Sequence, residues 1–390
     1  MNISPIEPGS VLGVLGGGQL GAMFSSAAMR LGFRIAVWDP DPEAPAHRLA
    51  SYSFPRSFSD LGAAKEFVEL VSVVTYEWEN IPARLCEVLE RTKPVRPSSA
   101  VLGFIQNRLV QKSFLAEHGF PVPAFATLSN PDQLGSIIGK LGYPVVCKTA
   151  TTGYDGKGQW RLSSDADRPE VERSLKTSMQ SGVEWIVESF VPFEHELSIL
   201  LARGIDGQSV VYPLVENIHE DGILRTTIAP AVVSTDVAQE AEALARSVVE
   251  RMEGVGLFCL ELFQTPGAAL LINELAPRPH NSGHYTLDAC TVSQFEQQVR
   301  AVCNLPLGEV RLVSPAAMVN LIGMDAETMR TSSTCRSMLD LPGTYLHLYG
   351  KRTMRLGRKM GHVTFLHEDR ETAYDRAVRF RESLLRDARR

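Results

Sequence analysis

Lys148-Thr149-Ala150-Thr151-Thr152-Gly153-Tyr154-Asp155-Gly156-Lys157-Gly158-Gln159 places three glycines within six residues, just after the apolar run Pro144-Val145-Val146-Cys147. The run reads as a buried strand, and the glycines free the backbone behind it to wrap an anion with N–H groups. Lys157 adds a charge to that loop. The segment is not a Walker loop, because Gly158 stands where serine or threonine would follow the lysine. A β-hairpin with a glycine-rich tip is the plainer reading. Lys148, at the end of an apolar strand, is harder to place on it: such a lysine needs an anionic partner, and a nucleotide phosphate is a natural one.

Further on, Leu257–Phe263 and Leu270–Leu275 flank Thr265-Pro266-Gly267 and read as a hairpin. Alternation puts Glu261 on a face with Cys259 and Phe263, and Glu274 on a face with Ile272. The midpoint of Glu261 and Glu274 falls in the turn, so the two acids are expected as near cross-strand neighbours. Like charges there repel unless a divalent cation bridges them. Oxygen ligands suit Mg²⁺, and Asn273 offers another oxygen. The alternative is a pair of solvated acids on an exposed sheet face.

Immediately after come Arg278, His280, Asn281 and Ser282, a dense donor cluster suited to a small oxyanion. A metal site from His280 and His284 lacks the supporting helix or thiols. A basic island follows late in the chain, from Tyr349-Gly350-Lys351 through Arg355, Arg358, Lys359, Gly361 and His362. It reads either as a basic surface loop or as a clamp for a phosphate.

At the other end, strand Val11–Leu15, a glycine turn, helix Leu20–Leu31 closed by Gly32, and strand Arg34–Trp38 predict a parallel sheet covered by helices. Val71–Tyr76 adds a strand that runs into Glu77-Trp78-Glu79-Asn80. Gly16-Gly17-Gly18-Gln19-Leu20-Gly21 with Asp39 satisfies the dinucleotide fingerprint. Its physics is general, since glycines admit a ligand to the backbone and the helix N-terminus favours an anion. NAD is one reading, phosphate of another ligand a second, and a tight structural turn a third. Pro94, Pro97 and Ser98-Ser99 mark a boundary or a tight crossover. Helices are expected over Arg108–His118, stopped by Gly119, and over Val237–Met252, with Val237, Ala241, Leu244, Val248 and Met252 on one stripe. The last stretch, from about Pro306, reads as β-rich with a charged helix near Thr372–Ala388.

The chain has 390 residues, enough for two or three domains, and ordinary globular composition at 44% apolar and 22% charged. A net charge of −6 argues against a general nucleic-acid binder. No apolar stretch approaches the ~20 residues that span a bilayer, and the N-terminus lacks a secretory leader pattern. The six cysteines are scattered and read as small hydrophobes, so a reduced, cytoplasmic setting is expected.

Together these pieces resemble the ATP-grasp superfamily, and within it the carboxyaminoimidazole ribonucleotide synthases. The resemblance covers nearly the whole chain: Leu15–Gly21, Tyr76–Asn80, Gly153–Gln159, Tyr212-Pro213-Leu214-Val215-Glu216-Asn217-Ile218-His219, Asn273–His284 and Gly357-Arg358-Lys359-Met360-Gly361-His362. One departure is Pro279, where other members of the family often carry a different residue. The resemblance implies α/β and α+β architecture: an N-terminal Rossmann-like domain over 1–110, an ATP-grasp domain with central and lid parts over 111–303, and a small β-rich C-terminal domain over 304–390.

It also implies a ligase that carboxylates aminoimidazole ribonucleotide with bicarbonate at the expense of ATP, through carboxyphosphate. ATP would be held by Arg108, Lys148, Gly153, Tyr154, Asp155, Gly156, Lys157, Gly158 and Gln159, with Glu188, Ser189, Phe190, Val191, Glu196, His219, Asn273 and Glu274. Glu188 and Val191 would border the adenine and Glu196 the ribose. Glu261, Glu274 and Asn273 would hold Mg²⁺, two ions with ATP. The ribonucleotide would meet Gln19, Glu77, Tyr154, Asp155, Ser282, Lys351 and Arg358. Asp155, Lys157, Arg278, His280 and Asn281 would serve catalysis, with Asp155 facing the reacting amine. A homodimer with no nucleic-acid or membrane partner is implied. Other readings are another ATP-grasp ligase such as a formate-dependent transformylase or a biotin carboxylase relative, an NAD-dependent oxidoreductase, and a catalytically dead nucleotide-binding regulator. The Tyr76–Asn80 turn and the Gly357–His362 tail argue against the first of these.

Overall fold

A computed structural model describes residues 4–151, 158–179, 182–323, 332–353, 355 and 357–387. Val11–Leu15 is buried throughout and Arg34–Trp38 at every position after Arg34, as a parallel sheet covered on both faces requires. The order is Tyr52–Phe54, Arg34–Trp38, Val11–Leu15, Val73–Tyr76, all parallel. Helix Gln19–Arg30 covers one face with Phe24, Ala27 and Ala28. Phe67, from helix Leu61–Leu70, packs on Trp38 across the other, with ring centroids 5.4 Å apart. The proline-rich stretch at 94–97 is a crossover: Val95 bridges in parallel to Val74, and Ser98 caps helix Ser99–Ile105.

The glycine turn is filled from within. Glu77 accepts the Gly18 N–H at 2.5 Å and the Gly21 N–H at 2.6 Å, while Asp39 accepts the Gly17 N–H at 2.6 Å. A helix N-terminus attracts an anion, and here a carboxylate of the chain itself takes that place. Gly16 has φ +95°, and a Cβ on it would lie 2.6 Å from Glu77 Cγ. Gly16→Ala is therefore expected to destabilise the protein by about 2 kcal/mol, read as a lowered thermal midpoint. An unchanged midpoint would show that Glu77 does not fix this turn.

A four-stranded antiparallel sheet follows in the order Phe125–Leu128, Trp185–Ser189, Val145–Thr149, Gln159–Leu162. Helix Arg108–Glu117 leads to it, capped by the Asn107 side chain on the Leu109 N–H at 2.9 Å and ending before Gly119 at φ +76°.

The largest sheet runs Leu270–Ala276, Gly256–Gln264, His195–Arg203, Val215–Glu220, Ile223–Ala229, Ala316–Ile322, Lys359–Leu366, Thr344–Leu348, with Ser209–Val211 beside His195–Arg203. The β-rich C-terminal part thus adds its three strands to this sheet edge-on, backed by Ala373, Ala377 and Phe380 of helix Arg370–Asp387. On one face, helix Thr235–Arg251 buries Val237, Ala241, Ala245, Val248 and Val249 against Leu197, Ile199, Leu201, Leu260 and Leu262. Leu244 and Met252, expected on the stripe, pack only at its margin. Each fully buried leucine or isoleucine contributes about 1.5–3 kcal/mol. That burial fixes register, and so sends Glu196, Ser198 and Glu261 to the opposite face.

One expectation about this hairpin is corrected. Glu261 pairs directly with Glu274, as the spacing predicts, but Leu262 pairs with Ile272, so Asn273 is an extra residue in a β-bulge. Alternation therefore breaks. Ile272 joins the core and does not share a face with Glu274, while Asn273 and Glu274 both reach the open side. All six cysteines are free, and Cys290 alone is not fully buried. Among the described residues, no helix is long and apolar enough to cross a membrane.

Candidate active site

A cleft of about 990 Å³ opens where the three sheets meet. Gln19, Glu77 and Glu79 reach it from the parallel sheet, Lys148, Gln159 and Arg161 from the small antiparallel sheet, and Glu196, His219, Glu261, Asn273 and Glu274 from the large one. Lys351, Arg358 and Lys359 close it from the C-terminal part. Gly153, Tyr154, Asp155, Gly156 and Lys157 lie outside the described residues. Gly158, at φ +74°, accepts the Thr149 N–H at 2.8 Å just before Gln159.

On the side of the small antiparallel sheet, Lys148 has an anionic partner within the chain. Glu188 accepts its Nζ at 2.6 Å, and Lys112 Nζ lies 3.6 Å from the other carboxylate oxygen. Glu188 is only 3% exposed, and its carboxylate is held by the two lysines at the wall of the cleft. Burial alone would raise its pKa. The Lys148 and Lys112 charges overcome that and hold it at about 2. Burial pushes Lys112 down to about 8, against the pull of Glu188. Ser189, Phe190 and Val191 line the cleft beyond the strand end. The Arg161 guanidinium sits 3.9 Å from the Phe190 ring centroid, and Phe193 stacks on Phe263 at 4.9 Å. These give a flat ring apolar faces and a cation to lie against. Glu196 pairs with His219 at 2.8 Å.

The two central carboxylates each meet a base. Arg108 bonds Glu274 at 2.5 Å, and His280 Nε2 lies 3.1 Å from Glu261. Against burial, which raises it, the His280 hydrogen bond leads the effects that hold Glu261 at about 2. Asn273 Oδ1 is buried with no hydrogen-bond partner among the described residues. Two paired carboxylates and an unpartnered carbonyl oxygen are the hard-oxygen set a divalent cation takes, so the residues fit Mg²⁺.

The donor turn is built as expected at three of its four positions. Arg278, His280 and Asn281 face the cleft. Arg278 pairs with Glu79 at 2.6 Å, and both amide atoms of Asn281 are buried without a partner among the described residues. Ser282 is corrected: it is fully buried in the 3₁₀ turn Asn281–Gly283, behind His280, and bonds Ser198 and His280 instead of reaching the cleft. His284 is also fully buried, against Gln294, and burial pushes its pKa far down.

In the basic island, Lys351 donates to the Lys359 carbonyl at 2.8 Å and Arg358 to the Thr353 carbonyl at 2.7 Å. His362 turns inward to Tyr349, so it is no part of a phosphate clamp. Its donor atom lies with those of Asp288 and His347 inside 4.8 Å. The two imidazoles, however, stack at 14° with centroids 4.5 Å apart, which keeps their in-plane lone pairs parallel rather than convergent on one ion.

Sequence reasoning missed Lys112, Arg161 and Glu79. Lys112 stands four residues after Arg108, on the same face of one helix, and that spacing was its signal. Glu79 lies inside the quoted Tyr76–Asn80 turn.

A parallel-sheet unit, an antiparallel lid and a large sheet enclosing a lysine, a carboxylate pair and an anion-donor turn define an ATP-grasp ligase. Residues 10–106 match the ribonucleotide synthetase preATP-grasp domain, 113–295 the ATP-grasp domain, and 316–376 the phosphoribosylaminoimidazole carboxylase C-terminal domain. The N5-carboxyaminoimidazole ribonucleotide synthase of Bacillus subtilis is 37% identical over 93% of this chain and 92% of its own. A solved N5-carboxyaminoimidazole ribonucleotide synthetase with ADP superposes with TM-score 0.91 at 42% identity, covering 97% of each chain. The Aspergillus clavatus N5-carboxyaminoimidazole synthase, solved with ADP and 5-aminoimidazole ribonucleotide, gives 0.87 at 31%, covering 97% of this chain and 99% of its own. The chain belongs to the N5-carboxyaminoimidazole ribonucleotide synthase family. With Glu77 in the anion position of the glycine turn, the NAD reading falls.

Proposed function

We infer that this chain joins bicarbonate to the amine of 5-aminoimidazole ribonucleotide, with ATP going to ADP and phosphate, in purine biosynthesis. The observation that carries the reading is the convergence, in one cleft, of the Glu261–Glu274 pair, the Arg278–Asn281 turn and the Lys148 side. A bicarbonate oxygen attacks the γ-phosphorus, and the bond to the ADP oxygen breaks. The substrate amine then takes the carboxyl carbon, the bond from that carbon to the phosphate oxygen breaks, and the amine proton leaves to a base, a role assigned to Asp155.

Lys148 and Arg108 steer the polyphosphate, and Phe190, Phe193 and Phe263 receive the base. Arg278, His280 and Asn281 orient bicarbonate and stabilise charge that develops on its oxygens. Lys351 and Arg358 bind the ribonucleotide phosphate, with Gln19 beside them. Glu261, Glu274 and Asn273 would hold Mg²⁺, which when bound neutralises charge on the transferring phosphoryl group. Enclosure matters, because carboxyphosphate reacts with water. The protein is further proposed to act as a cytoplasmic homodimer.

The test measures phosphate release from Mg-ATP alongside labelled bicarbonate. Release that needs the ribonucleotide, with equal label in the product and no replacement of bicarbonate by formate, is expected. Phosphate release at the same rate without the ribonucleotide would leave an ATP-grasp enzyme and remove this substrate.

A further inference from the structure

The open face of the large sheet carries a buried row of polar residues that the reaction does not call on directly. Alternation places Ser198 opposite Glu261 in the neighbouring strand, and Asn217 opposite Thr227 in the next pair. Ser198 and Thr227 are fully buried and Asn217 nearly so, at 5% exposure. In such a setting each hydroxyl and amide must find a partner, and these find one another in series.

The Thr227 hydroxyl donates to Asn217 Oδ1 at 3.0 Å, the Asn217 amide donates to Ser198 Oγ at 2.9 Å, and the Ser198 hydroxyl donates to Ser282 Oγ at 2.7 Å. Ser282 Oγ then lies 2.8 Å from His280 Nδ1, and His280 Nε2 lies 3.1 Å from Glu261.

The series has a fixed direction. The Ser282 backbone N–H also points at His280 Nδ1, at 3.3 Å, and a backbone N–H only donates. Nδ1 therefore faces the turn, and Nε2 faces Glu261 and the cleft. At the far end the Thr227 hydroxyl holds the Asn217 amide with its oxygen toward Thr227 and its NH₂ toward Ser198. The main chain of His280 is fixed separately: Gln294 accepts its N–H and donates to its carbonyl, both at 2.8 Å.

We propose that Ser198, Asn217 and Thr227 are positioning residues that act through Ser282 to hold the His280 ring with its Nε2 edge turned toward Glu261 and the bicarbonate subsite. This rests on the reading of that subsite given above. Buried networks of this kind are cooperative, so loss of a distant member is felt at the ring.

In kinetics, Ser198→Ala is expected to lower kcat/KM for bicarbonate about tenfold, the effect of one positioned hydrogen bond, with KM for ATP within about twofold. Thr227→Val, which keeps shape but frees the Asn217 amide to turn over, should move the bicarbonate constant in the same sense, and Thr227→Ser should restore it. Unchanged constants, or equal losses toward ATP and bicarbonate, would reduce the row to packing and overturn the proposal. A His280→Ala variant with normal bicarbonate kinetics would instead bring down the subsite reading itself.

Discussion

Glu274→Ala is expected to lower ribonucleotide-dependent phosphate release by about a thousandfold or more, because it removes half of the carboxylate pair proposed to serve the phosphoryl groups. The same change should leave folding stability within about 1 kcal/mol. The pairing of Glu274 with Arg108 is partly exposed, at 36% and 19% of the side chains, and such pairs contribute little. Glu274 also faces Glu261 directly, and removing one of two like charges relieves repulsion. Steady-state kinetics beside a thermal melt checks both halves. Activity within tenfold of the parent would remove the pair from the mechanism; a melt lowered by many degrees would make it structural.

The largest stability effect is expected at Glu188. Its side chain is 4% exposed, between Lys148 at 13% and Lys112 at 3%. Glu188→Gln leaves two buried ammonium groups facing one another, and breaking a buried pair in this way costs about 3–5 kcal/mol. Denaturant unfolding at neutral pH reads the loss, and a change under about 1 kcal/mol would contradict the account. The acid limb gives a second check. Glu188 sits at about 2 in the folded protein against an ordinary 4.5, so the unfolded chain binds more protons between those values. Its contribution is complete above pH 4.5 and is lost as pH falls toward 2, and Glu188→Gln should flatten stability across that window. Lys112 acts at the other end: its folded value near 8 against an ordinary 10.5 means stability gains as pH rises between them.

Much of this site was legible in the chain. Equal spacing about Thr265-Pro266-Gly267 was enough to pair Glu261 with Glu274, since a hairpin's register follows from its turn. The bulge at Asn273 was not legible, because an extra residue in a ladder leaves no mark in composition. Ser282 was placed in the cleft with its neighbours because five consecutive residues look equally available in sequence. A single 3₁₀ turn sends it inward, where Ser198 waits from a strand 84 residues earlier. Glu77 illustrates the same limit. Its carboxylate was expected at the substrate, and it does line the cleft, but its two oxygens hold the glycine turn 56 and 59 residues away. Long-range polar partners are set by packing, whereas apolar periodicity is local, which is why three of the four strands of the parallel sheet and the long helix Thr235–Arg251 were found within a residue or two, and the short edge strand Tyr52–Phe54 was not.

The central claim is that one cleft phosphorylates bicarbonate and then passes its carboxyl group to the ribonucleotide. Oxygen-labelled bicarbonate tests it most directly, supplied with Mg-ATP and 5-aminoimidazole ribonucleotide. Transfer through carboxyphosphate moves one bicarbonate oxygen onto the released phosphate, so labelled phosphate should form in step with the carboxylated product. Phosphate free of label, formed at the same rate as that product, would contradict the account.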